Sequence, residues 1–301
     1  MSHDVAALRE HAEYLVAEVG VSTGRNRKAA IRRRWTATSR DRGDGNVGDL
    51  GRGVEWAIRT SLGHRRPGDA VSGPHQDEPT RPGEVRWLVD PLGGRTNADR
   101  GIPLHAVSIA AQVDGVTVAA AAAEPATGRL WSAGLGEGSA LLDPRAENGW
   151  SDLEMEDKWA DLRVATTTDL ARVVLAAGCS PDPAERAFQD DTLARLTHRI
   201  TDVRRTGSAA LDLCWVAAGS LDVFLARGLP EREWAAGTLI AEEAGAVVRV
   251  PTAADPTTRR AEHILVAAPG VADEFRDLLF QTYASVLHTG FDLPGRPPAT
   301  A

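Results

Sequence analysis

The sequence predicts a mixed fold, an α+β half followed by an α/β half, and three observations carry that prediction. Residues 106–113 and 116–123 are two apolar runs joined by Asp114-Gly115, the pattern of a β-hairpin. From residue 162 onward short apolar runs alternate with helix-length segments, several closed by glycine, as in an α/β unit with a largely buried sheet. Ahead of both, two stretches place apolar residues at helical spacing.

Taken in order, Val5, Leu8, Leu15, Val16 and Val19 mark a first helix, with Gly20 placed to end it. A basic run over 25–42 follows, containing Arg25, Arg27, Lys28, Arg32, Arg33, Arg34, Arg40 and Arg42 with Asp41 its only acid. It reads as a solvated connector, or else as a face for an anion or a partner. Leu50, Val54, Ile58 and Leu62 mark a second helix, and 86–89 a short strand entering Asp90-Pro91. The turn Thr127-Gly128 leads into a strand over 130–133, so helices cover an antiparallel sheet in residues 1–155. The polar, aromatic stretch 148–161 reads as a boundary or loop.

In the second half, 156–290, strands are expected at 162–165, 200–204, 221–225, 246–250 and 264–268. Helices are expected at 168–177, 184–198, from a Ser208 cap to 218, at 234–244 before Gly245, and at 272–283. The residues 291–301, with Pro294, Pro297 and Pro298, read as a loose tail.

The chain has 301 residues, 43% of them hydrophobic and 25% charged, enough apolar material for a sizeable core without disulfides. Cys179 and Cys214 lie in apolar stretches and read as small buried hydrophobes in a reducing, cytoplasmic compartment. No signal peptide or membrane-length apolar run is expected. A formal charge of −8 argues against general nucleic-acid binding. Lys28 and Lys158 are the only lysines, and with abundant Ala and Gly this points to a GC-rich bacterial genome.

The stretch Trp87-Leu88-Val89-Asp90-Pro91-Leu92-Gly93-Gly94-Arg95-Thr96-Asn97 resembles the W-x-x-D-P-[IL]-D-G-T-x-N signature of the inositol monophosphatase family. Trp87, Asp90, Pro91, Leu92, Gly94 and Asn97 agree with it. Gly207-Ser208-Ala209-Ala210-Leu211-Asp212-Leu213 and then Val216-Ala217-Ala218-Gly219-Ser220-Leu221-Asp222 are similar to the family's next segments, and Ala235-Ala236-Gly237 with Glu243-Ala244-Gly245 to its A-A-G…E-A-G helix. The resemblance implies a layered αβαβα sandwich, usually a homodimer. It also implies a phosphate-ester site between the halves, with Ser208 and Ala209 in the substrate pocket, and catalysis by magnesium. Magnesium serves that chemistry because several cations bridging phosphate oxygens and activating water offset the charge of the ester.

Residue by residue, the match is incomplete. Asp90 falls on the family's first signature aspartate, a metal ligand, and Glu233 on a later one, one methylene longer. The second signature aspartate becomes Gly93 and the threonine that positions water becomes Arg95. Upstream, a threonine and an aspartate become Gly48 and Gly51, and the metal-binding glutamate becomes Pro74. Ala226 stands where the family reads a substrate hydroxyl with glutamate. Two carboxylates hold one hydrated magnesium weakly, not the close pair or trio that the family reaction calls for. Asp44, Asp49, Asp77 and Glu78 lie close in sequence to the vacated positions and are candidates for recruitment.

Arg95 invites a second reading, in which its guanidinium replaces the missing cation and Gly94, Arg95 and Thr96 open a helix whose N–H groups face an anion. The plainer reading is that Arg95 neutralises Asp90. His105 reads as a packed histidine, His75 as a lone candidate, and Asp212, Asp222 and Glu242-Glu243 as structural hydrogen-bonders. Gly134-x-Gly136-x-Gly138 lies in a hairpin context that does not suit a nucleotide loop.

The expected function is therefore a catalytically weak or inactive relative that binds a small phosphorylated ligand or a protein partner. The alternatives are an active magnesium-dependent phosphatase on a sugar or inositol monophosphate, and a dimeric scaffold using the basic run 25–42.

Overall fold

The computed structural model describes residues 3–36, 45–81, 83–144, 159–180, 182–251 and 263–288, with the backbone alone described for 21–36 and 45–49. The stretch 148–158, Asp44, the end of the basic run and the tail 291–301 lie outside the described residues.

Five layers alternate. The first holds α1 (Val5–Thr36) and α2 (Gly45–Arg65). Next comes a seven-stranded sheet in simple order: β1 (Ala70–Ser72), β2 (Val85–Gly93), β3 (Ala106–Val113), β4 (Val116–Glu124), β5 (Arg129–Gly134), β6 (Gly138–Leu142) and β7 (Trp159–Asp161). All neighbours pair antiparallel except β1, which runs parallel to β2. The central layer is α5 (Ala209–Ala217) and α6 (Ala235–Glu243). A second sheet follows in the order β11 (Val247–Arg249), β12 (His263–Ala267), β10 (Val223–Arg227), β8 (Val174–Ala177), β9 (Asp202–Arg204). Helices α4 (Pro183–Leu196) and α7 (Ala272–His288) cover its far face.

Alternation along the strands builds these layers. In β2, Trp87 and Val89 pack toward α1 and α2, while Leu88 packs toward α5 and α6. The run Ala119–Ala123 of β4 is buried on both faces, and its small side chains admit helices closely on either side.

Several expectations are corrected. Gly20 does not end α1, which continues to Thr36; a Cβ at Gly20 would stand 3.1 Å from that of Ala123, so this glycine lets helix and sheet approach. Much of the basic run is thus helical, not a connector. Residues 162–165 form no strand: Leu162 bonds Ser139 and Val164 bonds Ala244 as the chain leaves the first sheet. The segment 168–177 is not a helix but a single 3-10 turn, Leu170–Arg172, and then β8. Its apolar run is buried between β9 and β10, where a parallel strand needs apolar residues at successive positions. The strand expected at 221–225 is β10, two residues later. Cys214 is buried as expected, but Cys179 lies past the end of β8 and is exposed.

Candidate functional site

Strand β2 carries Asp90 to the place where the two halves meet. A bulge between Asp90 and Gly93 breaks its register with β3 and turns the chain into α3 (Arg95–Arg100). Gly94 makes that turn at φ 83°, in the left-handed region, with the carbonyl of Leu104 so close that a side chain has no room. Asp90 is 7% exposed, and Leu92 N–H donates to its Oδ1 at 3.3 Å. Burial, and then the charge of Glu233, push its carboxyl up to about 7. Glu233 stands in the 3-10 turn Glu231–Glu233, which packs on β2 and β3. Its carboxyl is raised by burial, against the pull of Arg232 and Arg95.

Two arginines flank this pair. Arg95 is exposed, and among the described residues it forms no ion pair with Asp90, so the closed pair expected from the plainer reading is not formed. Its charge still acts on both Asp90 and Glu233, as does that of Arg232, which lies 3.7 Å from Glu233. Arg232, which precedes Glu233 in the stretch Arg232-Glu233-Trp234-Ala235-Ala236-Gly237 that resembles the family's W-D-x-A-A-G, stands at the tryptophan of that pattern.

Ser208 precedes α5 at its N-cap position, but its side chain makes no capping bond. Its Oγ is buried with no hydrogen-bond partner among the described residues. A Cβ built on Gly93 would lie 2.8 Å from Asp90 Oδ2 and 3.2 Å from Ser208 Oγ, so the space at Gly93 is bounded by those two oxygens. Ala209 begins α5 beside it and is half-buried.

The vacated positions come close to this site. Gly51 on α2 is buried, and a Cβ there would meet Leu92 at 3.8 Å. Pro74 lies in the turn that follows β1, closed by Gly73 N–H on the carbonyl of Gln76. The upstream acids are engaged elsewhere. Asp77 accepts from Arg86 at 2.9 Å, and Glu78 pairs with Arg59 at 2.8 Å. Glu55, a buried residue of α2, takes His75 Nδ1 at 2.5 Å and Arg59 at 2.9 Å. Burial raises the Glu55 carboxyl, but these two partners outweigh it and hold the group below its usual value. The backbone of Asp49 lies in α2.

The residues read as structural behave so. His105 is fully buried; Asp212 accepts from Thr206 Oγ1 at 2.7 Å, and Asp222 from Val174 N–H at 2.7 Å. The carboxylate of Glu243 takes the N–H groups of Gly136 and Gly138, each at 2.8 Å, which closes the glycine-rich turn on the protein itself.

Fold and site together define a five-layer αβαβα protein in which Asp90 and Glu233, flanked by Arg95 and Arg232, lie where β2 meets the 3-10 turn 231–233. The chain belongs to the inositol monophosphatase family, whose sequence model matches residues 8–283. An inositol-1-monophosphatase of Mycobacterium leprae is 40% identical over 225 residues, 73% of this chain and 73% of the relative. The structure of Mycobacterium tuberculosis SuhB superposes with a TM-score of 0.76 at 34% identity, covering 93% of this chain and 98% of that one. Nus factor SuhB of Escherichia coli is 37% identical over 166 residues, 55% of this chain and 56% of the relative. No described helix is long and apolar enough to cross a membrane.

Proposed function

We propose that this chain uses the family cleft to bind a small phosphorylated ligand and hydrolyses it weakly or not at all. The observation that carries the reading is the charge arrangement around Asp90. Arg95 and Arg232 act on both remaining carboxylates, where the family pattern has threonine and tryptophan. Guanidinium groups recognise phosphate oxygens by paired, charge-assisted hydrogen bonds without a metal. Among the described residues the donor set does not fit several magnesium ions: Gly51, Pro74 and Gly93 bring no carboxylate to Asp90 and Glu233, and Asp77 and Glu78 are held by Arg86 and Arg59. The buried Ser208 Oγ supplies a free hydroxyl toward the ligand, beside Ala209. A cytoplasmic homodimer is part of the same proposal.

Phosphate release from sugar, inositol and nucleotide monophosphates, with and without magnesium, tests the reading beside calorimetric titration with inorganic phosphate. Magnesium-independent phosphate binding that Arg95→Ala and Arg232→Ala each weaken, without release, is the expected result. Magnesium-dependent release abolished by Asp90→Asn would overturn it.

A second reading, assembly with a protein partner, draws on the continuation of α1 through Gly20 to Thr36, which puts Arg25 to Arg34 on one helix. Relatives named Nus factor match part of the chain. Neutralising the arginines at 25, 32 and 33 and losing a co-purifying partner is its test.

A further inference from the structure

The geometry points to Arg227 and Glu185 as positioning residues that set where Glu233 stands, an inference that rests on the ligand-binding reading above. Arg227 is the last residue of β10, and Gly228 turns the chain at φ 69° toward Glu233. Arg227 and Glu185 are both almost wholly buried, and Arg227 Nε donates to Glu185 Oε1 at 2.5 Å. The guanidinium carbon lies 5.0 Å from the ring centre of Phe188 on α4 and 5.5 Å from that of Tyr283 on α7. A second residue of α4 holds the backbone of the same position: Gln189 Nε2 donates to Arg227 carbonyl O at 3.3 Å, and Gln189 Oε1 accepts from Ser180 N–H at 3.0 Å. Side chain and carbonyl are thus both held at the point where the loop departs.

The loop is tied again at its other end, in the first half of the protein. Gln112 of β3 donates its amide to Glu231 at 2.9 Å, two residues before Glu233. Residues 228–233 therefore hang between one anchor in the outer helix layer and one on the first sheet. The place of Glu233 therefore depends on how the base of this loop is held. Replacing a buried ion pair by apolar residues of similar volume often costs little stability, so the role of such a pair shows in local geometry rather than in global stability. The Arg227–Glu185 pair sets that geometry at the base of the loop.

Hydrogen exchange on the full chain tests this with two variants. Glu185→Leu/Arg227→Met removes both charges while keeping volume, and Arg227→Lys keeps the charge. In the double variant, the amides of 228–233 are expected to exchange roughly tenfold faster, with β8 and α5 unchanged. Affinity for inorganic phosphate is expected to fall roughly tenfold with them, a 1.4 kcal/mol change. Arg227→Lys, which keeps the charge but not the guanidinium's Nε bond and ring contacts, is expected to fall between wild type and the double variant in both. Unchanged loop exchange in the double variant overturns the inference, as does faster exchange with undiminished phosphate affinity. If the wild type binds no phosphate, the ligand reading fails by itself, and loop exchange alone decides the positioning role.

Discussion

Asn97, the last residue of the signature, donates its side-chain amide to the backbone carbonyl of Thr206 at 2.5 Å, joining α3 to the loop before α5. The same nitrogen donates to Leu104 O at 2.7 Å. One amide thus ties α3, which follows Gly93, to the loop that leads into Ser208. Asn97→Ala leaves both carbonyls without that donor and is expected to lower stability by about 1–3 kcal/mol in urea unfolding. Asn97→Asp, which brings no donor, should do no better; an unchanged midpoint in both would show that the bridge contributes nothing.

Asp212 offers a pH test. Burial pushes its carboxyl from 3.8 up to about 7, against the hydrogen bond from Thr206. The folded state therefore holds the proton more tightly than the unfolded chain. That contribution is full below the unfolded value and is lost as pH rises from about 4 to about 7. The stability difference between wild type and Asp212→Asn should move against wild type by something on the order of a few kcal/mol across that window. Parallel stability profiles at pH 4, 5.5 and 7.5 would sink the assignment.

Gly237, the glycine of the A-A-G stretch, sits where α6 crosses α5. A Cβ there would stand 2.6 Å from Leu213 Cβ, so the two helices touch at this point. Gly237→Val is expected to cost about 1–3 kcal/mol by overpacking. Adding Leu213→Ala should recover part of that loss, and thermal melts of the two single variants and the double measure the coupling.

Rebuilding the family donor set tests the cleft from the other direction. Gly51→Asp, Pro74→Glu, Gly93→Asp and Arg95→Thr together should destabilise the metal-free protein, since a side chain at Gly93 crowds Asp90 Oδ2 at 2.8 Å. Magnesium should then raise the melting temperature of this variant, by about 2.7 kcal/mol of stabilisation at a hundredfold excess over its Kd. The wild type should show no comparable rise. An equal rise in both would mean that the native residues already form the ion site.

The family, the hairpin and both glycine-ended helices of the central layer were legible because they rest on local spacing. Apolar residues at period two or at helical period must be buried whatever surrounds them, and the stretch 87–97 carries its own chemistry. Tertiary structure decided the rest. Gly20 resembles a helix stop in isolation, yet Ala123, distant in the chain, makes it a packing contact inside α1. The run ending at Ala177 is as apolar as a helix, and only its pairing with β9 and β10 makes it a strand. Sequence singled out Asp90, Gly93, Arg95 and Glu233, and the fold sets Gly93 against Asp90 and brings the charges of Arg95 and Glu233 to bear on it. Only the fold assigned Asp77 to Arg86 and Glu78 to Arg59. The physical reason is common to these cases: local pattern determines which groups must be buried or solvated, while the charge or contact that each one meets comes from residues far along the chain.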